Sequence, residues 1–196
     1  MTTYILAGGN DRKYDDFPER LNEEIHRKIA KPRILSCFFS QPPETWQERY
    51  DDWSAWFSKL ITGIGHYELA QQVNFRDQVN HCDVIYLHGG DTKLLQEKLQ
   101  EVGVDRTIFK GKIVIGSSAG ANCLSRNYWS STRAEAWMGL GLVDRNVMVH
   151  YGASDLAGRQ RSDEDWEKEE AKFQSVIGSG ERITRLPEAQ FIVIES

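Results

Sequence analysis

Short apolar runs that stop at glycine-rich turns, alternating with helical patterns, constrain this chain more than any other feature of its sequence. Tyr4–Ala7 ends at Gly8-Gly9. Asp83-Val84-Ile85-Tyr86-Leu87 passes through His88 into Gly89-Gly90. Lys112–Ile115 runs into Gly116-Ser117-Ser118-Ala119-Gly120-Ala121-Asn122. Arg33–Phe39 reads as another buried strand, and Val147–Val149 as one ending at His150. Between these runs the period changes. Phe17, Leu21, Ile25 and Ile29 are spaced by four, which predicts an amphipathic helix over Pro18–Ala30. Glu44–Ile61, Thr92–Val102 and Ser162–Ile177 read as further helices, and Phe75–His81 as a short one. The aromatic residues Trp46, Tyr50, Trp53, Trp56 and Phe57 are expected to pack in the core or an interface. His66 falls in a loop. Ile183–Leu186 and Phe191–Ile194 flank Pro187-Glu188-Ala189 and predict a hairpin. Strand–helix alternation of this kind implies an α/β fold, a mostly parallel sheet with helices on both faces. A length of 196 residues fits a single domain over 1–196. In such folds the working residues lie in loops at the carboxyl ends of strands.

Composition narrows the function. The chain is 40% hydrophobic and 27% charged, too apolar for disorder and too charged for a membrane protein. Its net charge of −5 argues against binding a nucleic-acid backbone, which needs a basic footprint. The three cysteines, Cys37, Cys82 and Cys123, are far apart and include no CxxC pair. Neither a disulfide framework nor a zinc site is expected, and a reducing cytoplasm is the natural compartment. The first apolar run follows no basic segment and is too short for a signal peptide or a membrane span. No metal or organic cofactor is expected. The expected partner is a small peptide substrate, with no nucleic acid or membrane, for a monomer or homodimer.

The sharpest chemical signal is Gly116-Ser117-Ser118-Ala119-Gly120. It has the form Gly-x-Ser-x-Gly, placed after a strand and before a helix, the setting of a nucleophile elbow. Neighbours without bulk let so tight a turn close. The same pattern also occurs as a plain packing turn. In Gly89-Gly90-Asp91-Thr92 the glycines allow close approach to a ligand and their N–H groups can donate to an oxyanion. The alternative there is an ordinary turn with Asp91 as helix cap. A serine hydroxyl needs a base. His26 and His81 lie in helical stretches, whereas His88 and His150 sit at strand ends. A base histidine needs an acid to fix its tautomer. Glu188 is held in a tight turn between apolar strands. Glu135 competes from the polar stretch Ser130–Glu135.

The segments around Ser118, Gly89-Gly90-Asp91-Thr92, His150-Tyr151 and Leu186-Pro187-Glu188 resemble those of the dipeptidase E family. These are cytoplasmic serine peptidases with a class I glutamine amidotransferase-like fold. The resemblance runs from about Tyr4 to the C-terminus, and it implies one serine peptidase domain. It implies Ser118 as nucleophile, His150 as base, the N–H groups of Gly90 and Ala119 as oxyanion hole, and Glu188 as the acid. An aspartate after the nucleophile helix has also been proposed as that acid, but Arg133 stands in its place here. Gly89 lines the substrate side of the same turn. The family's acid-reading arginine aligns with Arg161 in Gly158-Arg159-Gln160-Arg161. Arg159, where the family has an acidic residue, is the rival. The resemblance therefore implies a serine exopeptidase acting on dipeptides or short peptides with an N-terminal aspartate. The alternatives are a cyanophycinase-like hydrolase of β-aspartyl peptides and a non-catalytic module that binds anions at helix N-termini. Amidotransferase activity is disfavoured, because the elbow carries serine and Cys123 lies within the next helix.

Overall fold

The computed structural model describes residues 1–13, 16–60, 62–154 and 160–196. The described residues form two sheets. The first has six strands in the order β10-β1-β5-β4-β2-β3. These are β1 (Thr3–Ala7), β2 (Arg33–Cys37), β3 (His66–Leu69), β4 (Val84–Leu87), β5 (Ile113–Ser117) and β10 (Phe191–Glu195). All pairs in it are parallel except β1 with β10. The second sheet has four strands in the order β7-β6-β8-β9, namely β6 (Asn127–Ser130), β7 (Glu135–Met138), β8 (Asn146–Tyr151) and β9 (Ile183–Pro187). The α/β class with mostly parallel pairing is as the sequence implies, but the expected single sheet is divided in two.

The helices follow from apolar spacing and caps. In α1 (Asp16–His26), Phe17, Leu21 and Ile25 are buried at intervals of four, with Pro18 in the first turn, where its missing N–H costs nothing. Helix α2 (Trp46–Leu60) buries Trp46, Trp53 and Phe57, in keeping with aromatics used for packing. Helix α3 spans Phe75–His81. Helix α4 (Thr92–Glu101) is capped by Asp91, whose carboxylate accepts from the N–H groups of Lys93 and Leu94. Helix α5 (Ala119–Leu124) is entirely buried. Helix α6 (Asp163–Ile177) starts with a capping box between Ser162 and Asp165 and turns Trp166 and Phe173 inward.

Strands β1, β4 and β5 are buried throughout, as continuous apolar runs under helices on both faces should be. Two expectations fail. Phe191–Ile194 does not form a hairpin with Ile183–Leu186. β9 pairs with β8 in the second sheet, while β10 pairs with β1 in the first. Pro187-Glu188-Ala189 carries the chain between sheets. His66 is also not in a loop but opens the edge strand β3.

The second sheet has its own small core of Trp129, Met148, Trp166 and Phe173. Phe173 is fully buried there. Phe173→Ala should cost about 3–5 kcal/mol of stability, measured by urea unfolding. A loss below about 1 kcal/mol would mean that α6 contributes little to holding this sheet.

Candidate active site

Ser118 follows β5 and caps α5. Its backbone is in the left-handed half of conformational space, with φ 52° and ψ −108°. Such a conformation costs of order 1–3 kcal/mol and persists only where the surroundings impose it. The flanking glycines let the turn close: a Cβ on Gly116 would stand 2.6 Å from the carbonyl carbon of Gly120. The next residue back, Ser117, donates its hydroxyl to Asp11 Oδ1 at 2.8 Å, and the Tyr86 hydroxyl donates to Asp11 Oδ2 at 2.5 Å. Burial pushes the Asp11 carboxyl upward; the two hydroxyl donors and the nearby His150 offset this only in part.

The structure brings three of the expected residues into a line. Ser118 Oγ lies 2.8 Å from His150 Nε2, and His150 Nδ1 lies 3.2 Å from Glu188 Oε1. The other oxygen of Glu188 accepts from Lys13 Nζ at 2.8 Å and Asn10 Nδ2 at 3.3 Å. Burial alone would raise the Glu188 carboxyl. The hydrogen bonds from Lys13, His150 and Asn10 outweigh burial and hold it below the ordinary glutamate range. Glu135 is not at this site. It is exposed at the start of β7, opposite Ser130 in a hairpin that sequence periodicity did not show.

The end of β1 ties the line together. Three successive carbonyls receive three backbone N–H groups: Ala7 from Ser118 at 3.0 Å, Gly8 from His150 at 3.0 Å, and Gly9 from Ala189 at 2.8 Å. Neither glycine has room for a side chain. A Cβ on Gly8 would meet the Pro187 carbonyl at 2.0 Å, and one on Gly9 would meet His150 Cε1 at 2.5 Å and Ser118 Cβ at 2.9 Å. The sequence marks this glycine pair as one of the strand-end loops in which working residues lie, with no role assigned to it. Its function as a strut is a property of three distant segments and has no local signal.

At the neighbouring strand end, the Gly89 carbonyl accepts from Ser40 Oγ and Gln41 Nε2, both at 2.8 Å. In a planar trans peptide the next N–H points the opposite way, so fixing the Gly89 carbonyl fixes the Gly90 N–H. Ser40 and Gln41 went unnoticed in the sequence. Gly90, Ser118 and His150 line one cavity of about 470 Å³ with Asp91, Lys93, Asn122, Trp137 and Arg133. Gly89, Ser118 and His150 also line a second cavity, of about 410 Å³. Ala119 is buried at the start of α5, directly after Ser118.

The remaining candidates are placed elsewhere. Arg161 does not line the first cavity. Its Nη1 pairs with Glu169 at 3.3 Å and its Nη2 donates to the Ser131 carbonyl at 3.4 Å. Arg159 and Gly158 lie outside the described residues. His88 is buried, stacked on Phe38 and Tyr86, with Nε2 2.7 Å from Ser36 Oγ. Cys37, Cys82 and Cys123 are free and buried. Among the described residues, no group of three or more His, Cys, Asp or Glu side chains could hold a metal ion, and no helix is long and apolar enough to cross a membrane.

Two outcomes are expected. Gly9→Ala should displace His150 and lower kcat/KM at least about a hundredfold, the usual consequence of misplacing a catalytic group by an ångström. Gly111→Ala is the control, since Gly111 also has a positive φ, of 77°, but open space around its Cβ position. Equal effects would attribute the loss to backbone strain instead. The second outcome concerns pH. A depressed carboxyl stabilises the fold fully above its unfolded value, about 4.3, and loses that contribution as pH falls through the lower folded value. Urea unfolding of Glu188→Gln should therefore show a flatter stability profile than wild type below about pH 4.5. Parallel profiles would mean that Glu188 is not held ionised.

No curated protein matches the sequence. Several solved structures match, and two of them illustrate the shared fold. One is a Listeria monocytogenes EGD-e protein provisionally described as a peptidase E. It is 19% identical, with a TM-score of 0.65 over 100% of this chain and 99% of that one. The other, a peptidase from an acI-B1 actinobacterium, is 18% identical, with a TM-score of 0.63 over 99% of this chain and 83% of that one. At such identities the likeness establishes a shared fold, which is the glutamine amidotransferase-like arrangement that the sequence implies. The sequence profile of peptidase family S51 matches residues 44–196, which include Ser118, His150 and Glu188. This chain, a serine-type peptidase with its serine, histidine and glutamate in line, belongs to peptidase family S51.

Proposed function

We propose that the protein is a serine exopeptidase that releases an N-terminal acidic residue, aspartate above all, from dipeptides or short peptides. The observation that carries this reading is the Ser118–His150–Glu188 line, at 2.8 and 3.2 Å, on a strained elbow.

The ionised Glu188 holds the imidazole with its proton on Nδ1. This leaves Nε2 free to accept from the Ser118 hydroxyl. Ser118 Oγ bonds to the scissile carbonyl carbon as its proton passes to Nε2. The N–H groups of Gly90 and Ala119 stabilise the resulting oxyanion, each such donor being typically worth about 3–4 kcal/mol. His150 then returns the proton to the departing amine as the C–N bond breaks. Water, deprotonated by the same nitrogen, attacks the ester and releases the acid with the serine restored. Ser118 and His150 sit between two cavities, an arrangement that suits an acyl portion on one side and a leaving portion on the other. Lys93 and Arg133 in the larger cavity support an acidic residue there. The three free thiols are consistent with a reducing compartment such as the cytoplasm.

The test is hydrolysis of Asp-Leu, its β-linked isomer and Ala-Leu, followed directly. Wild type should cleave Asp-Leu fastest. Ser118→Ala should lose several orders of magnitude while staying folded, with only residual catalysis from the oxyanion hole. Glu188→Gln should be crippled, by up to about ten-thousandfold if the wrong imidazole tautomer is trapped. Glu135→Gln should be silent. A Ser118→Ala protein with more than about a tenth of wild-type activity contradicts the nucleophile assignment. Preference for the β-linked isomer would contradict the α-dipeptide reading while retaining the serine chemistry.

A further inference from the structure

The larger cavity beside Ser118 has a lopsided charge. Apart from His150, its charged lining residues among those described are Asp91, Lys93 and Arg133. Asp91 is already committed, since its carboxylate accepts from the Lys93 and Leu94 N–H groups at 2.8 and 3.0 Å. Lys93 has only a loose partner in Glu97, at 3.9 Å. Arg133 sits in the turn of the β6–β7 hairpin, and it is positioned rather than loosely hung. Its N–H donates to the Ser130 carbonyl at 3.1 Å, and Ala134 after it adopts φ 52°, closing the loop. Its guanidinium carbon stands 5.5 Å from the centre of the Trp137 ring, a cation–π contact that leaves the guanidinium N–H groups available to a ligand.

Arg161 occupies a different place. Its guanidinium is 4.8 Å from the Trp166 ring, its side chain is only 12% exposed, and its hydrogen bonds run to Glu169 and to the carbonyl of Ser131 in the turn that bears Arg133. It braces that turn from behind.

We propose that Arg133, aided by Lys93, reads the side-chain carboxylate of the substrate's acidic residue, and that Arg161 is a positioning residue for the Arg133 turn. This proposal rests on the reading of Ser118 as nucleophile, which places the acyl portion of a peptide in this cavity. A guanidinium suits the task because it meets a carboxylate with two parallel hydrogen bonds, and a neutral amide in the same place leaves it unmatched.

The test separates binding from chemistry. Asp-Leu and Asn-Leu are titrated calorimetrically into Ser118→Ala protein, which cannot turn them over. Adding Arg133→Ala should weaken Asp-Leu roughly a hundredfold and Asn-Leu by no more than about threefold. Arg133→Lys should recover part of the difference. Arg161→Ala should weaken both ligands to a similar, smaller extent, since it loosens the turn without removing the reader. Wild-type protein should be labelled at Ser118 by a neutral alkyl fluorophosphonate, which reports the nucleophile separately from the carboxylate reader. Equal weakening of both dipeptides by Arg133→Ala, a selective loss caused by Arg161→Ala instead, or no preference for Asp-Leu in the Ser118→Ala protein would each overturn the proposal. Wild-type protein that binds Asp-Leu selectively but is not labelled at Ser118 would overturn the nucleophile reading and leave Arg133 as a carboxylate reader.

Discussion

Three consecutive backbone carbonyls at the end of β1 set the geometry of the candidate site. Ala7, Gly8 and Gly9 accept from the N–H groups of Ser118, His150 and Ala189, residues that arrive from three separate segments. β1 lies inside the first sheet between β10 and β5, so the strut extends from a buried strand that is hydrogen-bonded on both sides. The β8 end and the turn after β9 belong to the second sheet, and this ladder joins them to the first. The relative placement of serine, histidine and glutamate is therefore set by main-chain hydrogen bonds. Side-chain attraction refines that placement but does not create it. The two glycines are required because any side chain there would enter the space of Pro187 or His150.

That main-chain bonding offsets an evident local cost. Among the described residues, positive φ angles occur at the non-glycine residues Asn10, Ser118, Ala134, His150 and Ala189. All five lie at the proposed site or its walls: Asn10 donates to Glu188, Ala189 follows it, and Ala134 closes the turn bearing Arg133. Each such conformation costs of order 1 kcal/mol or more. A buried sheet and two apolar cores hold them in place. Electrostatics complete the arrangement. Hydrogen bonds from Lys13, His150 and Asn10 hold the Glu188 carboxyl below its ordinary range despite burial, as the proposed role beside His150 calls for.

Much of this was legible in the sequence because its signals are local. Gly-x-Ser-x-Gly after an apolar run specifies the elbow, and Gly89-Gly90 specifies a close approach. Leucine and phenylalanine spacing gave the helices. What failed was non-local. Ile183–Leu186 and Phe191–Ile194 have the lengths and spacing of a hairpin, but the carbonyls at the end of β1 capture the turn and send the two strands to different sheets. β6 and β7 are four-residue strands broken by Ser131, Thr132 and Arg133, too short and polar for periodicity to show. Arg161 matched a sequence pattern, yet Glu169 and Ser131 occupy its guanidinium. Arg133 offered only a missing aspartate, and its place over Trp137 beside Ser118 emerges once the hairpin forms.

A nucleophile delivered to His150 by the β1 strut forms a covalent ester on Ser118, and that ester can be trapped. Aspartyl p-nitroanilide is mixed with the protein, quenched in acid within the first turnovers, and the products are examined by intact-mass and peptide-mapping mass spectrometry. A transient aspartyl ester is expected on the peptide bearing Ser118, decaying as free aspartate appears. Hydrolysis that proceeds with no adduct, or with an adduct on any other residue, would contradict it.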